Sequence, residues 1–435
     1  MTAVVIRDPV HGDIALTDAE KRVLDTRDMQ RLRGIKQTGT AYLVYPGCVH
    51  TRFDHSLGTC GVAKRIIDGL RRVGYNIHRD DEELVSVAAL VHDTTHIPFG
   101  HTFEDERRIF PRHDSGRRIK AFLVDGEIGT VLKSLGLDQE VLRILSSRDP
   151  VSEGYPAPWK VQIVSGCVDA DLLDYLRRDS YFSGLAQNYD DRIFSYFALE
   201  DGQLVVSMSK HGMDRPDARS EVLHLLRMRY FLTERIYTHH AKISSGAMIS
   251  RAVELACRYG LEEDRLYPLT DATFLEFLKR FPPEAPDPVL GHLVTSVEER
   301  KLLKRAYVLS SARIGRSKRD SLIARYSSSV VERDELETEV ASALDLEPGE
   351  VIVHCPPASF FKEIQVPVRT GEGISRLTAL APDHSKDVEA LANQYEDLWK
   401  FYVFIPAGRT GLTERAGEAC QALIGEPNEY CPGLR

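Results

Sequence analysis

The run Leu84-Val85-Ser86-Val87-Ala88-Ala89-Leu90-Val91-His92-Asp93-Thr94-Thr95-His96-Ile97-Pro98-Phe99-Gly100-His101 carries the strongest structural signal in this 435-residue chain. From Leu84 to Val91 it is almost uniformly apolar, which predicts a central helix over residues 82–92, buried on most sides. A histidine and an aspartate then stand together at its C-terminal end. Burying such a pair without partners is costly, and imidazole and carboxylate are the groups that hold borderline divalent metals. A metal ion accounts for both facts. Neighbours on a helix diverge by roughly 100°, so His92 and Asp93 can reach one ion only where the helix turns or ends. Pro98 and Gly100 supply that ending.

Upstream, Phe53, Leu57, Val62, Ile66, Ile67 and Leu70 fall near a 3.6-residue period, which predicts a helix over residues 53–73 that carries His55. Before it, residues 1–45 read as a short extended arm followed by helix, with Thr17-Asp18-Ala19-Glu20 as a capped helix start. Helices are expected through about residue 148, from Gln162 to Arg178 (carrying Asp171), and from Arg219 to Cys257. Prolines 282, 283, 286 and 288 mark a break. Beyond it, Val351–His354, Phe361–Val368 and Phe401–Ile405 have the β-branched and aromatic content of strands. The prediction is a mainly α protein, with a helical core over residues 1–300 and a smaller α+β region over 301–435. His55, the His92-Asp93 pair and Asp171 would converge on one ion from three packed segments. A single histidine is usually an ordinary polar residue, but eight of the 15 histidines lie in the first 113 residues.

Composition narrows the classes. Hydrophobic residues make up 43% and charged residues 28%, as in ordinary globular proteins, and the net charge of -9 speaks against a chain built to coat nucleic acid. The seven cysteines are scattered and form no CxxC pair, which points to a reducing compartment and away from thiolate zinc sites. No apolar run is long enough to span a bilayer and Met1–Arg7 has no apolar signal core, so a cytoplasmic protein without membrane contact is expected. The basic residues Lys301, Lys304, Arg305, Arg313, Arg316, Lys318 and Arg319 read either as a solvated face or as a contact for phosphate or single-stranded nucleic acid.

His50-Thr51-Arg52-Phe53-Asp54-His55-Ser56-Leu57-Gly58, followed by the His92–His101 segment, resembles the HD superfamily of metal phosphohydrolases. It is most similar to the branch that hydrolyses deoxynucleoside triphosphates (dNTPs). Asp8-Pro9-Val10-His11-Gly12, Gln30–Gln37 and Asp171–Asp179 follow the same pattern in the same order. The resemblance implies an HD-domain helical catalytic core and a divalent metal (manganese, iron, magnesium or zinc) on His55, His92, Asp93 and Asp171. It implies hydrolysis of a dNTP to a deoxynucleoside and triphosphate. Catalysis falls to His96 as proton donor, with His113 as helper or phosphate contact and His101 near the sugar and phosphate. Arg52 and Arg229 would bind phosphate, and Gln37, Tyr175, Asp179 and Tyr237 would bind sugar and phosphate.

The resemblance also implies a GTP or dGTP activator read by Asp25, Gln30 and Arg33, and a homo-oligomer, dimer or tetramer. One departure stands out: the lysine that often follows the last metal-binding aspartate is Leu172 here, with Lys242 or His240 as replacements. Another HD-type phosphodiesterase or nucleotidase, and a nucleotide-sensing or nucleic-acid-binding module, are the competing readings.

Overall fold

The computed structural model describes residues 4–347, 349–358, 365–371, 373–379, 382–408 and 411–431. The expected extended arm is an antiparallel hairpin of β1 (Val4–Asp8) and β2 (Gly12–Leu16). It leads into α1 (Asp18–Leu24), whose start is a capping box between Thr17 and Glu20, and α2 (Arg27–Arg31). The core is then α3 (Arg52–Arg72) packed against α4 (Arg79–Val91). Every residue from Leu84 to Val91 is buried, as the uniformly apolar run requires.

Short helices α5 (Gly116–Ile119), α6 (Glu127–Leu135), α7 (Asp138–Ser146) and α8 (Pro158–Val164) wrap this pair, and α9 (Ala170–Ser183) closes it against α3. The single helix expected from Gln162 to Arg178 is therefore two. Asp169 explains the break: its carboxylate accepts from Gly166 N at 2.8 Å and Leu172 N at 2.7 Å, capping α9 in place of continuing α8. After the short strands β3 (Phe197–Glu200), β4 (Gln203–Ser207), β5 (Ser209–Lys210) and β6 (Met213–Asp214) comes α10 (Pro216–Leu232).

The long helix expected up to Cys257 is also divided. A π-helical turn, Thr233–Tyr237, separates α10 from α11 (His240–Arg258). Thr233 donates to the Arg229 carbonyl at 2.9 Å and Thr238 to that of Thr233 at 2.8 Å, while the His239 ring accepts from Ala241 N at 3.2 Å. Local side-chain bonds of this kind compete with the helical ladder, and a π turn often marks a functional site.

Helices α12 (Asp271–Lys279) and α13 (Pro288–Glu298) pack on α11. The C-terminal region sets β7 (Lys304–Ser310), α14 (Ser311–Leu322), α15 (Val330–Leu344), β8 (Ile352–His354), β9 (Pro367–Thr370), β10 (Gly373–Arg376), α16 (Pro382–Glu396), β11 (Lys400–Ile405) and α17 (Leu412–Ile424) in sequence. Of the strand expected over Phe361–Val368, positions 361–364 lie outside the described residues. One sheet runs β7-β11-β8 and has its own core; another runs β10-β9-β4-β3, joining strands from both sides of residue 300. The basic run is largely paired on the protein itself, Arg316 with Glu396 at 3.0 Å and Lys318 with Glu426 at 3.1 Å. Among the described residues, no helix is long and apolar enough to cross a membrane.

Candidate active site and metal centre

Three helices deliver the proposed metal ligands. His55 lies one turn into α3, His92 caps the end of α4 with Asp93 just beyond, and Asp171 sits in the first turn of α9. Their heads meet: His55 Nε2 is 3.0 Å from Asp171 Oδ1 and 3.8 Å from Asp93 Oδ2, and His92 Nε2 is 3.8 Å from Asp171 Oδ1 and 3.7 Å from Asp93 Oδ1.

The other imidazole nitrogens are occupied. His55 Nδ1 pairs with Asp174 Oδ2 at 2.7 Å, and His92 Nδ1 with the Ala89 carbonyl at 2.8 Å. His92 Nε2, by contrast, is buried without a hydrogen-bond partner among the described residues, and His55 Nε2 faces only the Asp171 carboxylate. Two imidazole nitrogens converging on two carboxylates fit a divalent cation, and mixed nitrogen and oxygen ligation leaves its identity among manganese, iron, magnesium and zinc. The local field agrees. Burial alone would lower His55, yet Asp171 and Asp174 push it up to about 10.

Behind the ligands lies a second set of contacts. Asp174 accepts from both His55 and His11 Nε2 (2.7 Å each) and twice from Arg178, at 2.9 and 2.8 Å. Arg178 also reaches Asp8 at 2.9 Å, and Asp8 in turn caps the β1–β2 turn through Val10 N and His11 N. The Asp8–Gly12 segment is thus the far end of a chain of bonds that orients His55. Gly58 makes room for it: a Cβ there would stand 1.9 Å from Asp174 Oδ1 and 2.2 Å from Arg178 Nη2.

Arg52 is buried and paired with Asp93. It threads past Gly100, whose φ of +52° and lack of a side chain are both needed, since a Cβ would lie 2.4 Å from Arg52 Nη2. Burial would raise the Asp93 carboxyl, but Arg52, His96 and His92 hold it well below the usual range.

Beyond the metal quartet stands a histidine cluster. His96 is fully buried, stacked on His113 with ring centroids 3.9 Å apart, and its Nε2 is 3.2 Å from Asp93 Oδ1. Burial, then the Arg52 and His113 charges, push it well below its ordinary value. His101 and His113 share one carboxylate, their Nδ1 atoms lying 3.2 and 3.1 Å from Glu104 Oε2, while Arg118 holds Glu104 Oε1 at 2.7 Å. Burial would raise Glu104, but its hydrogen bonds to His101 and His113 bring it below the carboxylate range. The sequence reading missed Glu104 and gave Asp174 and His11 no role. The Glu104–His101 spacing of three across a helical turn was a usable signal; the 163-residue separation of His11 from Asp174 was not.

A cavity of about 1390 Å³ opens over these groups and is lined by Gln37, Arg52, His92, Asp93, His101, His113, Asp171, Tyr175, Asp179, Arg229, Tyr237 and Lys242. Arg229 is bonded to the Tyr175 hydroxyl. Asp179 accepts from His50 Nε2 at 2.8 Å and from the Tyr237 hydroxyl. Burial and the Asp179 charge push Tyr237 well above its ordinary value. Leu172 points into the core, 3% exposed, and Lys242 lines the cavity, whereas His240 lines a separate, smaller one.

Asp25, Gln30 and Arg33 do not line the cavity: Asp25 caps the end of α1, Gln30 lies on α2 and Arg33 in the turn after it. Asp25 pairs with Lys21 at 2.8 Å, Arg33 Nε donates to Gln30 Oε1 at 2.8 Å, and the Arg33 guanidinium stacks 3.5 Å over Phe53, the neighbour of Arg52.

The comparisons agree with this geometry. Residues 52–179 match the HD domain model and residues 169–426 the HD associated region. An uncharacterized Methanocaldococcus jannaschii protein is 37% identical over 256 residues, 57% of this chain and 49% of that protein. The mouse deoxynucleoside triphosphate triphosphohydrolase SAMHD1 is 28% identical over 354 residues, 69% of this chain and 53% of that protein. The chain spans about half the length of the curated relatives it matches. A solved phosphohydrolase from Bacteroides thetaiotaomicron shares the fold at a TM-score of 0.68 and 23% identity, covering 93% of this chain and 100% of that one. With these two models together matching residues 52–426, the chain belongs to the HD-domain family of metal-dependent phosphohydrolases.

Proposed function

We propose that the protein hydrolyses a dNTP to the deoxynucleoside and inorganic triphosphate. The observation that carries this reading is the meeting, in one cavity, of His92, Asp93 and Asp171 with cationic Arg52, Arg229 and Lys242 and with the bonded Asp179–Tyr237 pair. A triphosphate brings roughly four negative charges, which arginine and lysine suit. Asp179 has remaining acceptor capacity for a sugar 3'-hydroxyl. Tyr237, held by Asp179, would occupy the space a 2'-hydroxyl needs.

A divalent ion on His55, His92, Asp93 and Asp171 would supply Lewis acidity and an activated water at neutral pH. The chain's own residues supply the rest. Arg52, fixed between Asp93 and Gly100, neutralises the phosphate nearest the ligands. The leaving 5'-oxygen needs a proton, and histidine suits that task near neutrality. Geometry supports His101 over His96 as donor: its side chain is 48% exposed toward the cavity while Glu104 holds its Nδ1, whereas His96 is walled in. In this reading His96 and His113 hold the cluster in register.

His92→Ala and Asp93→Ala are expected to abolish turnover of every dNTP, and the protein to turn over GTP at least about tenfold less efficiently than dGTP. Equal kcat/KM for the two sugars would remove the assigned roles of Asp179 and Tyr237. A second reading, a phosphodiesterase or nucleotidase, is favoured by Leu172, which leaves α9 without a phosphate-binding lysine; release of pyrophosphate or monophosphate would select it. Activation by a guanine nucleotide in a homo-oligomer belongs to the first reading. It is supported by the Arg33–Phe53 stack, in which Arg33 packs on the neighbour of Arg52. Rates and sedimentation with and without GTP test it, and an unchanged rate and mass over the millimolar range would remove it.

A further inference from the structure

At about 1390 Å³ the cavity exceeds the roughly 300–1,000 Å³ of ordinary ligand sites. Part of its wall comes from the C-terminal region, through His354 on β8 and Trp399, Lys400 and Tyr402 at β11. His354 and Tyr402 are partners across the β8–β11 ladder, with ring centroids 6.0 Å apart. This wall is continuous with the proposed sugar end. Ile243 of α11, six residues after Tyr237, packs with Tyr402 in one apolar cluster. Thr40, two residues after Thr38, donates to the Lys242 carbonyl at 3.3 Å. The cavity therefore runs from Gln37 and Tyr237, past Lys242, to His354 and Tyr402.

Two polar atoms in this stretch are buried: His354 Nδ1 has no hydrogen-bond partner among the described residues, and Thr38 Oγ1 has only the Cys48 thiol beside it. The Cys48 thiol, pushed up to about 12 by burial, accepts from the Thr38 hydroxyl, but neutral sulfur is a weak acceptor and leaves the Thr38 oxygen open to a ligand. Thr38 is 7% and His354 5% exposed, and both line the cavity. Buried polar groups are nearly always satisfied, so an orphan facing a cavity marks a place for a ligand's polar edge. Burial, with Lys242, Arg107 and Arg333 close by, pushes His354 down to about 3, so the ring is neutral and offers one donor and one acceptor. That is a match for the edge of a heterocycle.

We infer that Thr38, His354 and Tyr402 form a nucleobase subsite, in which Thr38 Oγ1 and His354 Nδ1 meet polar atoms of the base and Tyr402 walls its face. The C-terminal region then chooses which base the catalytic core processes. The inference rests on the dNTP reading, because the sugar held at Gln37 and Tyr237 is what directs the base into this compartment.

The test is kcat/KM for each of the four dNTPs, measured on the full chain with manganese, for the wild type, Thr38→Val and His354→Phe. Thr38→Val removes only the hydroxyl, so it keeps the test decisive should His354→Phe fold poorly. The wild type is expected to prefer one base by about tenfold or more. Each substitution should cost about tenfold on that base and far less on the others, narrowing the spread. Equal kcat/KM for all four bases in the wild type, or base ratios unchanged in Thr38→Val, overturns the subsite while leaving the dNTP reading standing. No hydrolysis of any dNTP overturns both.

Discussion

At the scale of single residues, the site is held by groups that never touch a metal. Asp174 is the clearest: it orients His55, receives His11 and is gripped by Arg178, and burial would otherwise raise a carboxyl that Arg178, His11 and His55 hold well below its usual range. Partners of this kind typically contribute about 10–100-fold to metal affinity. Asp174→Asn is accordingly expected to weaken manganese binding by about that factor in a metal titration, and unchanged affinity would show the contact to be incidental. Gly100→Ala should disable Arg52, because the new methyl collides with the guanidinium at a positive φ; the readout is a fall in kcat with the fold intact by circular dichroism. The candidate metal site was legible in the sequence because a histidine and an aspartate buried together at the end of an apolar helix are costly unless they bind something. Asp174 was not, since an acidic residue on an amphipathic helix looks the same whether it faces water or an imidazole; for Glu104 the only signal was its spacing of three from His101.

At the scale of elements, caps and breaks place the chemistry. Asp169 starts α9 and so sets where Asp171 projects. Asp169→Ala is expected to cost about 1 kcal/mol in denaturant unfolding and to weaken metal binding along with it; a loss of stability with metal affinity unaltered would confine the cap to folding. The turn between α10 and α11 plays a similar part for Tyr237, which lies at its last position. Periodicity located α3 and α4 to within a few residues. It ran α8 into α9 and α10 into α11, because both breaks arise from side-chain bonds by Asp169, Thr233, Thr238 and His239, which leave the apolar spacing undisturbed.

At the scale of the whole molecule, the catalytic core and the C-terminal region are joined by a buried ion-pair network. Arg107 bonds Glu337 of α15 at 2.8 Å and Glu254 of α11 at 2.6 Å, and Glu337 also accepts from Val353 N at 2.9 Å. Removing one partner strands a buried charge, so Glu337→Ala is expected to destabilise by about 3–5 kcal/mol in denaturant unfolding. The network also sets an acid limit. Burial would raise Glu254, but Arg107 and Arg333 bring it from 4.5 down to about 2. A carboxyl depressed on folding stabilises above its unfolded pKa and loses that contribution as pH falls toward the folded one. Stability should therefore decline between about pH 4.5 and 2, by about 3 kcal/mol from this group; a thermal midpoint that stays flat across that window would contradict it. None of this joining was visible in the sequence, where Arg107, Glu254 and Glu337 are ordinary charges on separate segments. Product analysis reads out what the assembled cavity does. With a dNTP and manganese, the account predicts deoxynucleoside and inorganic triphosphate in equal amounts; release of pyrophosphate or orthophosphate, or no hydrolysis with manganese, iron, magnesium or zinc, would contradict it.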